Sequence, residues 1–294
     1  MTFAAIEKCN LCGSVNSGWD ILFPLNNEQR LVSCRSCGLI FNDRMRTDLE
    51  NVYSDSYFTA DEKNAEGGYF NYLMIEKALN RNYKFAYDFI LKESKALREK
   101  VRILDIGCGC GFFIKQFKEM DGFDVKGVEL NGTACRTAKE CGLDVENVRI
   151  EDFKDARPFD YIVFFELIEH LLDPMAFMKE IFSKAQNGTR ILISTPNIGS
   201  FFFGILKRKW PAIHPASHNY YFSRKTISEL AGKAGFQVVR INERQLLWRD
   251  VHQLRKRMIE LFPWSRLFVN IFTPMDDRII PFLSGGSLDI ILKK

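Results

Sequence analysis

The chain has 294 residues, of which 46% are hydrophobic and 27% charged. That balance excludes a disordered chain, a collagen-like fibre and a coiled-coil rod, and the length suggests about two domains. Lys and Arg number 41 against 37 Asp and Glu, a net charge of +4, too small and too dispersed to argue for nucleic acid. No run approaches the roughly 18 uninterrupted apolar residues of a membrane span. The opening MTFAAIEKCN lacks the layout of a secretory signal. The expected compartment is therefore cytoplasmic and reducing, where paired cysteines read as metal ligands before disulfides.

In chain order, the first feature is a duplicated C-x-x-C-G, at Cys9, Cys12, Gly13 and at Cys34, Cys37, Gly38. Each pair brings two thiolates to one ion from a tight turn, and the following glycine permits the positive φ that closes it. Twenty-one residues lie between the pairs, enough for a returning hairpin. Four thiolates favour tetrahedral Zn2+ in a structural site with no open coordination position. The spacing predicts a zinc ribbon over residues 1–45. Cys108, Cys110, Cys135 and Cys141 read as small, reduced, partly buried residues.

Residues 46–100 read as a helical connector or cap. A short helix is expected near Thr47–Tyr53. A longer one, broken once, is expected over Tyr69–Leu97, carrying Leu73, Ile75, Leu79, Phe85, Phe89, Ile90 and Leu97 at helical spacing. Strands then alternate with helices, the mark of a parallel sheet with right-handed crossovers. Strands are expected at Val101–Ile106, Asp124–Leu130, Val148–Ile150, Asp160–Phe165 and Arg190–Thr195. Helices are expected at Phe112–Met120, Thr133–Cys141 and from Asp173-Pro174 to Ala185, where aspartate caps and proline takes the first turn. A helix from Ser223 to Ala234, a strand at FQVVRIN and a terminal strand at Ser287–Leu292 complete the pattern.

The turn after the first of these strands runs Asp105-Ile106-Gly107-Cys108-Gly109-Cys110-Gly111. Its glycines let backbone approach a ligand at a helix mouth. Glu129 ends the next strand 24 positions on, placed to accept both hydroxyl protons of a ribose. A carboxylate at Asp105 repels a diphosphate and attracts a cationic, sulfonium-bearing amino acid, which favours S-adenosylmethionine over NAD.

The runs VRILDIGCGCGFFI, GVEL, FDYIVFFELIEHLLDP and RILISTPN resemble the Rossmann-like, class I S-adenosylmethionine-dependent methyltransferases. The preceding ribbon, with CGLIF, Tyr53 and Tyr57-Phe58, resembles a bacterial subgroup acting on sugars, glycans or secondary metabolites. The implied fold is α/β: a seven-stranded, mostly parallel sheet with helices on both faces, preceded by the zinc ribbon. The resemblance implies that Asp105 orients the methionine end of the cofactor and that Gly107, Gly109 and Gly111 pass beneath it. It implies that Glu129 holds the ribose, that Asp152 and Phe153 meet the adenine edge, and that Phe165 and Glu166 lie beside the methyl donor.

Methyl transfer is an in-line displacement, helped at an oxygen or nitrogen acceptor by a base. His170 is the candidate base, with a structural brace as its competing role. Glu166, Glu169 and His170 have E-x-x-E-H spacing, which shares one face if the segment makes a helical turn. The same motif in ubiquinone-type and small-RNA 2′-O-methyltransferases holds a divalent cation, which here implies Mg2+ at Glu166, Glu169 and His170 with His214 or His218 completing the site. His218, Tyr220 and Tyr221 are also candidate acceptor contacts.

Residues 101–294 thus form the methyltransferase domain, with insertions at about 198–222 and 245–286. The insertions read as a lid or a dimer contact; their apolar and basic residues at 198–213 and 245–286 also suit a peripheral membrane surface or lipid-linked acceptor. The expected activity is O- or C-methylation of a small molecule, sugar or glycan. The alternatives are metal-assisted 2′-O-methylation of RNA, disfavoured by the charge, a non-catalytic cofactor-binding scaffold, and a nicotinamide-dependent oxidoreductase.

Overall fold

A computed structural model describes residues 3–47, 76–95, 100–275 and 278–294. The expected helix near Thr47–Tyr53, Tyr57-Phe58, and the Leu73, Ile75 and Leu97 positions lie outside the described residues, Thr47 excepted.

The N-terminal module contains β1 (Phe3–Ala5), β2 (Trp19–Pro24), β3 (Arg30–Cys34), β4 (Ile40–Asn42) and β5 (Arg44–Arg46). α1 (Glu76–Asn82) and α2 (Lys84–Ser94) follow, separated at Tyr83. The large domain then runs β6 (Val101–Ile106), α3 (Phe112–Lys115), β7 (Phe123–Val128), α4 (Gly132–Glu140), β8 (Val145–Glu146), β9 (Tyr161–Phe165), α5 (Pro174–Lys184) and β10 (Arg190–Pro196). It continues through α6 (Phe201–Leu206), β11 (Tyr220–Tyr221), α7 (Arg224–Lys233), β12 (Gln237–Asp250), α8 (Val251–Leu261), α9 (Arg266–Val269) and β13 (Ile279–Lys293).

Seven strands form the main sheet in the order β12-β13-β10-β9-β6-β7-β8. β10, β9, β6, β7 and β8 are parallel, while β13 runs antiparallel to both β10 and β12. Every residue of β6 and β9 is buried, as strands covered on both faces must be. Ala86 and Ile90 of α2, Phe113 and Ile114 of α3, and Cys135 and Ala138 of α4 pack on one face. Phe177, Met178 and Ile181 of α5 and Ile227, Leu230 and Ala231 of α7 pack on the other. Two devices start these helices: Asp173 accepts from Ala176 N ahead of Pro174, and Ser223 and Thr226 form a capping box.

Several boundaries depart from expectation. The third strand is Val145–Glu146, three residues before the expected Val148–Ile150, because only there does the chain reach the edge of β7. α3 ends at Lys115, well before Met120, and continues as turns. β10 includes Pro196, whose missing N–H is harmless at a strand end. The largest difference concerns residues 245–286. Much of this excursion is strand: β12 and β13 extend as a hairpin arm, pairing Leu246 with Leu283 through to Asp250 with Ile279. The helical turns of 251–275 sit at its tip.

The N-terminal module and the main sheet share a core in which Leu11, Val32, Leu39 and Phe41 lie with Leu104, Ile106 and Phe164. β11 adds antiparallel to β4, so the first insertion supplies the edge strand of a four-stranded sheet β11-β4-β3-β2. Among the described residues, no helix is long and apolar enough to cross a membrane.

Candidate active site

In the N-terminal module, Gly13 N donates to Cys9 O and Gly38 N to Cys34 O, each at 2.8 Å, with both glycines at positive φ. These turns bring Cys9, Cys12, Cys34 and Cys37 together, their Sγ atoms all within 4.8 Å of one another. Cys12 and Cys34 sulfurs are 3.4 Å apart and Cys9 and Cys37 sulfurs 3.6 Å, close to the ~3.8 Å edge of a tetrahedron with ~2.3 Å Zn–S bonds. Burial raises the Cys9 thiol to about 11 and raises Cys37 as well. At Cys34 burial is outweighed by hydrogen bonds from Ser14 and the Cys37 backbone, and the thiol falls to about 6. Of the remaining cysteines, Cys108, Cys110 and Cys135 are buried, but Cys141 is exposed at the end of α4, contrary to expectation.

At the C-terminal end of β6, the glycine loop turns over Glu129. Glu129 Oε2 accepts from Gly109 N and Oε1 from Asn131 N, both at 2.8 Å. One carboxylate therefore ties the loop to the start of α4, with the Leu130 amide adding to its backbone partners. Burial raises its pKa, against the pull of these amides. Asp105, buried at the end of β6, is pushed up to about 8 by desolvation and then by the Glu129 charge. Gly111 has φ +78°, and a Cβ there would lie 2.3 Å from Leu143 Cδ1.

Asp105, Gly107, Cys108 and Phe165 line a cleft at the end of β6. Leu79, Tyr83, Phe112 and Phe113 complete its wall. Tyr83 stacks on Phe165 with ring centroids 4.3 Å apart, so the break between α1 and α2 lies over the cleft. Periodicity marked this segment as a helix but carried no sign of which residue faces the cleft. Asp152 is exposed on a turn, and Phe153 lies in the core near Phe159, with ring centroids 6.2 Å apart. The side chain of Phe153 is thus not among the cleft residues.

Beyond Phe165 the chain turns sharply, with Glu166 at φ +49°. Glu166 Oε1 accepts from Ser194 Oγ at 2.8 Å. The expected single helical turn is instead this kink followed by a 3-10 turn, Ile168–His170. The two glutamates consequently separate: Glu166 faces Ser194, while Glu169 is buried and accepts from Thr195 Oγ1 at 3.0 Å. The polar Ser-Thr end after the apolar Ile191–Ile193 of RILIST was the signal for these partners.

His170 and His218 meet edge to face, ring centroids 4.6 Å apart. His170 Nδ1 lies 2.9 Å from Ser217 O and His218 Nδ1 2.9 Å from Ala212 O. A carbonyl only accepts, so both Nδ1 atoms carry the proton, and His170 is held further by a hydrogen bond with the Glu166 backbone. Burial lowers His170 to about 4, and burial with the neighbouring His170 and His214 lowers His218. Glu169 Oε1 is buried without a hydrogen-bond partner, 4.0 Å from His170 Nε2, and burial and Glu166 raise its pKa. Glu169, His170 and His218 offer ligand atoms within 4.8 Å of one another. These three, and not the expected Glu166, which is engaged by Ser194, are the residues that could hold a cation.

A methyltransferase domain family model matches residues 77–241, more than half of the chain. The chain belongs to this methyltransferase domain family. Its sheet and helices have the class I, S-adenosylmethionine-dependent methyltransferase fold. The chain is 27% identical to a ubiquinone biosynthesis O-methyltransferase of Idiomarina loihiensis, over 48% of this chain and 63% of the relative. It is 32% identical to the same-named protein of Paraburkholderia phymatum, over 45% of this chain and 62% of the relative. The chain thus spans under two thirds of the curated relatives it matches. In fold it is similar to magnesium protoporphyrin IX methyltransferase of Synechocystis PCC 6803 with bound SAH, at TM-score 0.52 and 12% identity, covering 84% of this chain and 92% of that one. It is likewise similar to the plantazolicin methyltransferase BpumL in complex with SAH, at TM-score 0.51 and 14% identity, covering 84% and 95%.

Proposed function

We propose that this protein transfers a methyl group from S-adenosylmethionine to a hydroxyl of a small molecule. The observation that carries the reading is the closed glycine loop, with Asp105 at its start and Glu129 tied to Gly109, opening on the same cleft as Phe165. Glu129 receives the ribose hydroxyls, Asp105 faces the cationic methionine end, and Asp152 and Phe153 lie on the adenine side. The similarity to ubiquinone biosynthesis O-methyltransferases supports an oxygen acceptor; a saccharide hydroxyl fits the same chemistry.

At the acceptor side, His170 and His218 stay neutral at ordinary pH, and His218 Nε2 is the atom placed to take a hydroxyl proton. Glu169, His170 and His218 together fit a divalent cation, which when bound supplies Lewis-acid polarisation of the acceptor oxygen. One carboxylate and two imidazoles suit Mn2+, Fe2+ or Zn2+ better than Mg2+, which prefers an all-oxygen shell. We assign structural Zn2+ to Cys9, Cys12, Cys34 and Cys37. The division into a ribbon over 1–45, a cap over 46–100 and a methyltransferase domain over 101–294 follows from the same reading.

The test is mass spectrometry of a library of phenols, catechols and saccharides incubated with S-adenosylmethionine. A gain of one methyl mass on a hydroxyl is expected. Turnover on no member, with intact cofactor binding, would favour the scaffold role instead.

A further inference from the structure

The tip of the β12–β13 arm reverses the usual relation of apolar residues to solvent. From Pro263 to Met275 the chain makes consecutive helical turns. Trp264, Leu267, Phe268, Ile271 and Phe272 recur at the spacing of one helical face. That face is turned outward, with these residues 71%, 87%, 68%, 75% and 51% exposed. Ser265 between them is buried, donating to Met258 O at 3.2 Å, and Arg255 donates to Asn270 Oδ1 at 3.0 Å. Polar groups thus pin the tip to α8 while the apolar stripe is left facing out. A contiguous exposed stripe of this kind marks an interaction surface.

Charge identifies the partner. Residues 251–275 contain four Lys or Arg and one carboxylate, and residues 198–213 contain three Lys or Arg and none. Together they hold +6 of formal charge, whereas the whole chain nets +4, so the rest is at −2. The two segments are neighbours: Lys209 Nζ lies 4.9 Å from the Phe262 ring centroid. Phe201 and Ile205 on α6 are exposed as well. An aromatic and aliphatic face rimmed by cations is the composition that seats in an anionic lipid interface. A second copy of this chain would bring two such cationic rims into contact, which like-charge repulsion opposes.

We propose that the tip of the β12–β13 arm, centred on Leu267 and Phe268, inserts into the interface of an anionic membrane. The arm lies beyond the residues matched by the methyltransferase family model, and the proposal does not rest on the methyl-transfer reading. Binding there holds the cleft near a lipid surface, where an apolar acceptor concentrates.

The experiment is co-sedimentation of the full chain, without cofactor, with vesicles of phosphatidylglycerol and phosphatidylcholine in equal parts, and with phosphatidylcholine alone. Binding to the anionic vesicles is expected, weakening in high salt. Leu267→Ser with Ile271→Ser should weaken it by about tenfold or more, and Lys207→Glu with Lys209→Glu by a similar factor. These positions are exposed, and circular dichroism checks that each variant folds. No sedimentation with anionic vesicles, or equal sedimentation of both variants, would overturn the proposal. So would a concentration-dependent dimer dissolved by Leu267→Ser with Ile271→Ser, which would assign the face to a second copy.

Discussion

Asn42, on the last strand of the ribbon sheet, donates from Nδ2 to the carbonyl oxygen of His218 at 2.8 Å. Its backbone N also donates to Asn219 O at 2.9 Å, and Asn219 Nδ2 donates to His170 O at 2.9 Å. The cysteine module and the histidine pair are therefore joined by a short run of hydrogen bonds, with β4 holding the loop that carries His218. Asn42→Ala should cost about 1 kcal/mol of stability. It should lower turnover by about tenfold through misplacement of His218, with cofactor affinity retained. Steady-state kinetics beside calorimetry separates the two effects.

Chelating the cysteine site should act through the same connection. Cys37→Ser is expected to lose zinc in elemental analysis and to lower the melting temperature, since a structural zinc contributes directly to folding. Full metal content in this variant would count against the four-cysteine site.

In the glycine loop, Gly111→Ala places a Cβ 2.3 Å from Leu143 Cδ1 at a φ of +78°. We expect a loss of about 1–3 kcal/mol in stability and at least about tenfold weaker S-adenosylmethionine binding. Urea unfolding and calorimetry would measure these.

The histidine pair sets a pH dependence. His170 titrates near 4 in the folded protein, below the ordinary value of 6.5, because burial disfavours its cation. Between those values the unfolded chain binds more protons, so stability is complete above about 6.5 and declines as pH falls toward 4. The acidic limb of the pH–rate profile should accordingly lie near 4. A limb at 6.5 would mean that His170 is solvated during turnover.

Arg102 is a separate structural test. Its guanidinium donates to Asp124 and Asp155, each at 2.8 Å, and lies 4.3 Å above the Phe159 ring centroid. Burial acts against the Asp155 carboxylate, but Arg102 outweighs it and holds it at about 2. That contribution is present above about pH 4 and lost as pH falls through about 2. Arg102→Ala should cost about 1–3 kcal/mol, because two carboxylates lose their buried guanidinium while Asp124 keeps Arg157 at 2.8 Å and Asp155 keeps Lys126 at 3.4 Å. Urea titrations at neutral pH would measure it.

Much of this was legible in the sequence because it rests on local chemistry. Asp173-Pro174 marks the start of α5, VRILDI reads as a doubly buried strand, and the duplicated C-x-x-C-G predicts the thiolate cluster. The rest depends on contacts between distant segments. Nothing near Tyr220-Tyr221 shows that they pair with Ile40-Phe41. Glu166 and Glu169 share a helical face by spacing, but the positive φ at Glu166 arises from its fit against Ser194, on another strand. Val145–Glu146 is too short a strand for periodicity to register. The stripe from Trp264 to Phe272 has the pattern of a core-facing helix, and only the fold shows that it faces outward.

The central claim is that the loop from Asp105 to Gly111, closed by Glu129, binds S-adenosylmethionine. Isothermal calorimetry of the full chain with S-adenosylmethionine and with NAD, repeated on Asp105→Ala and Glu129→Ala, tests it most directly. The account predicts binding of S-adenosylmethionine and not NAD, abolished in both variants with unchanged circular dichroism. Undiminished affinity in either folded variant, or tight binding of NAD alone, would contradict it.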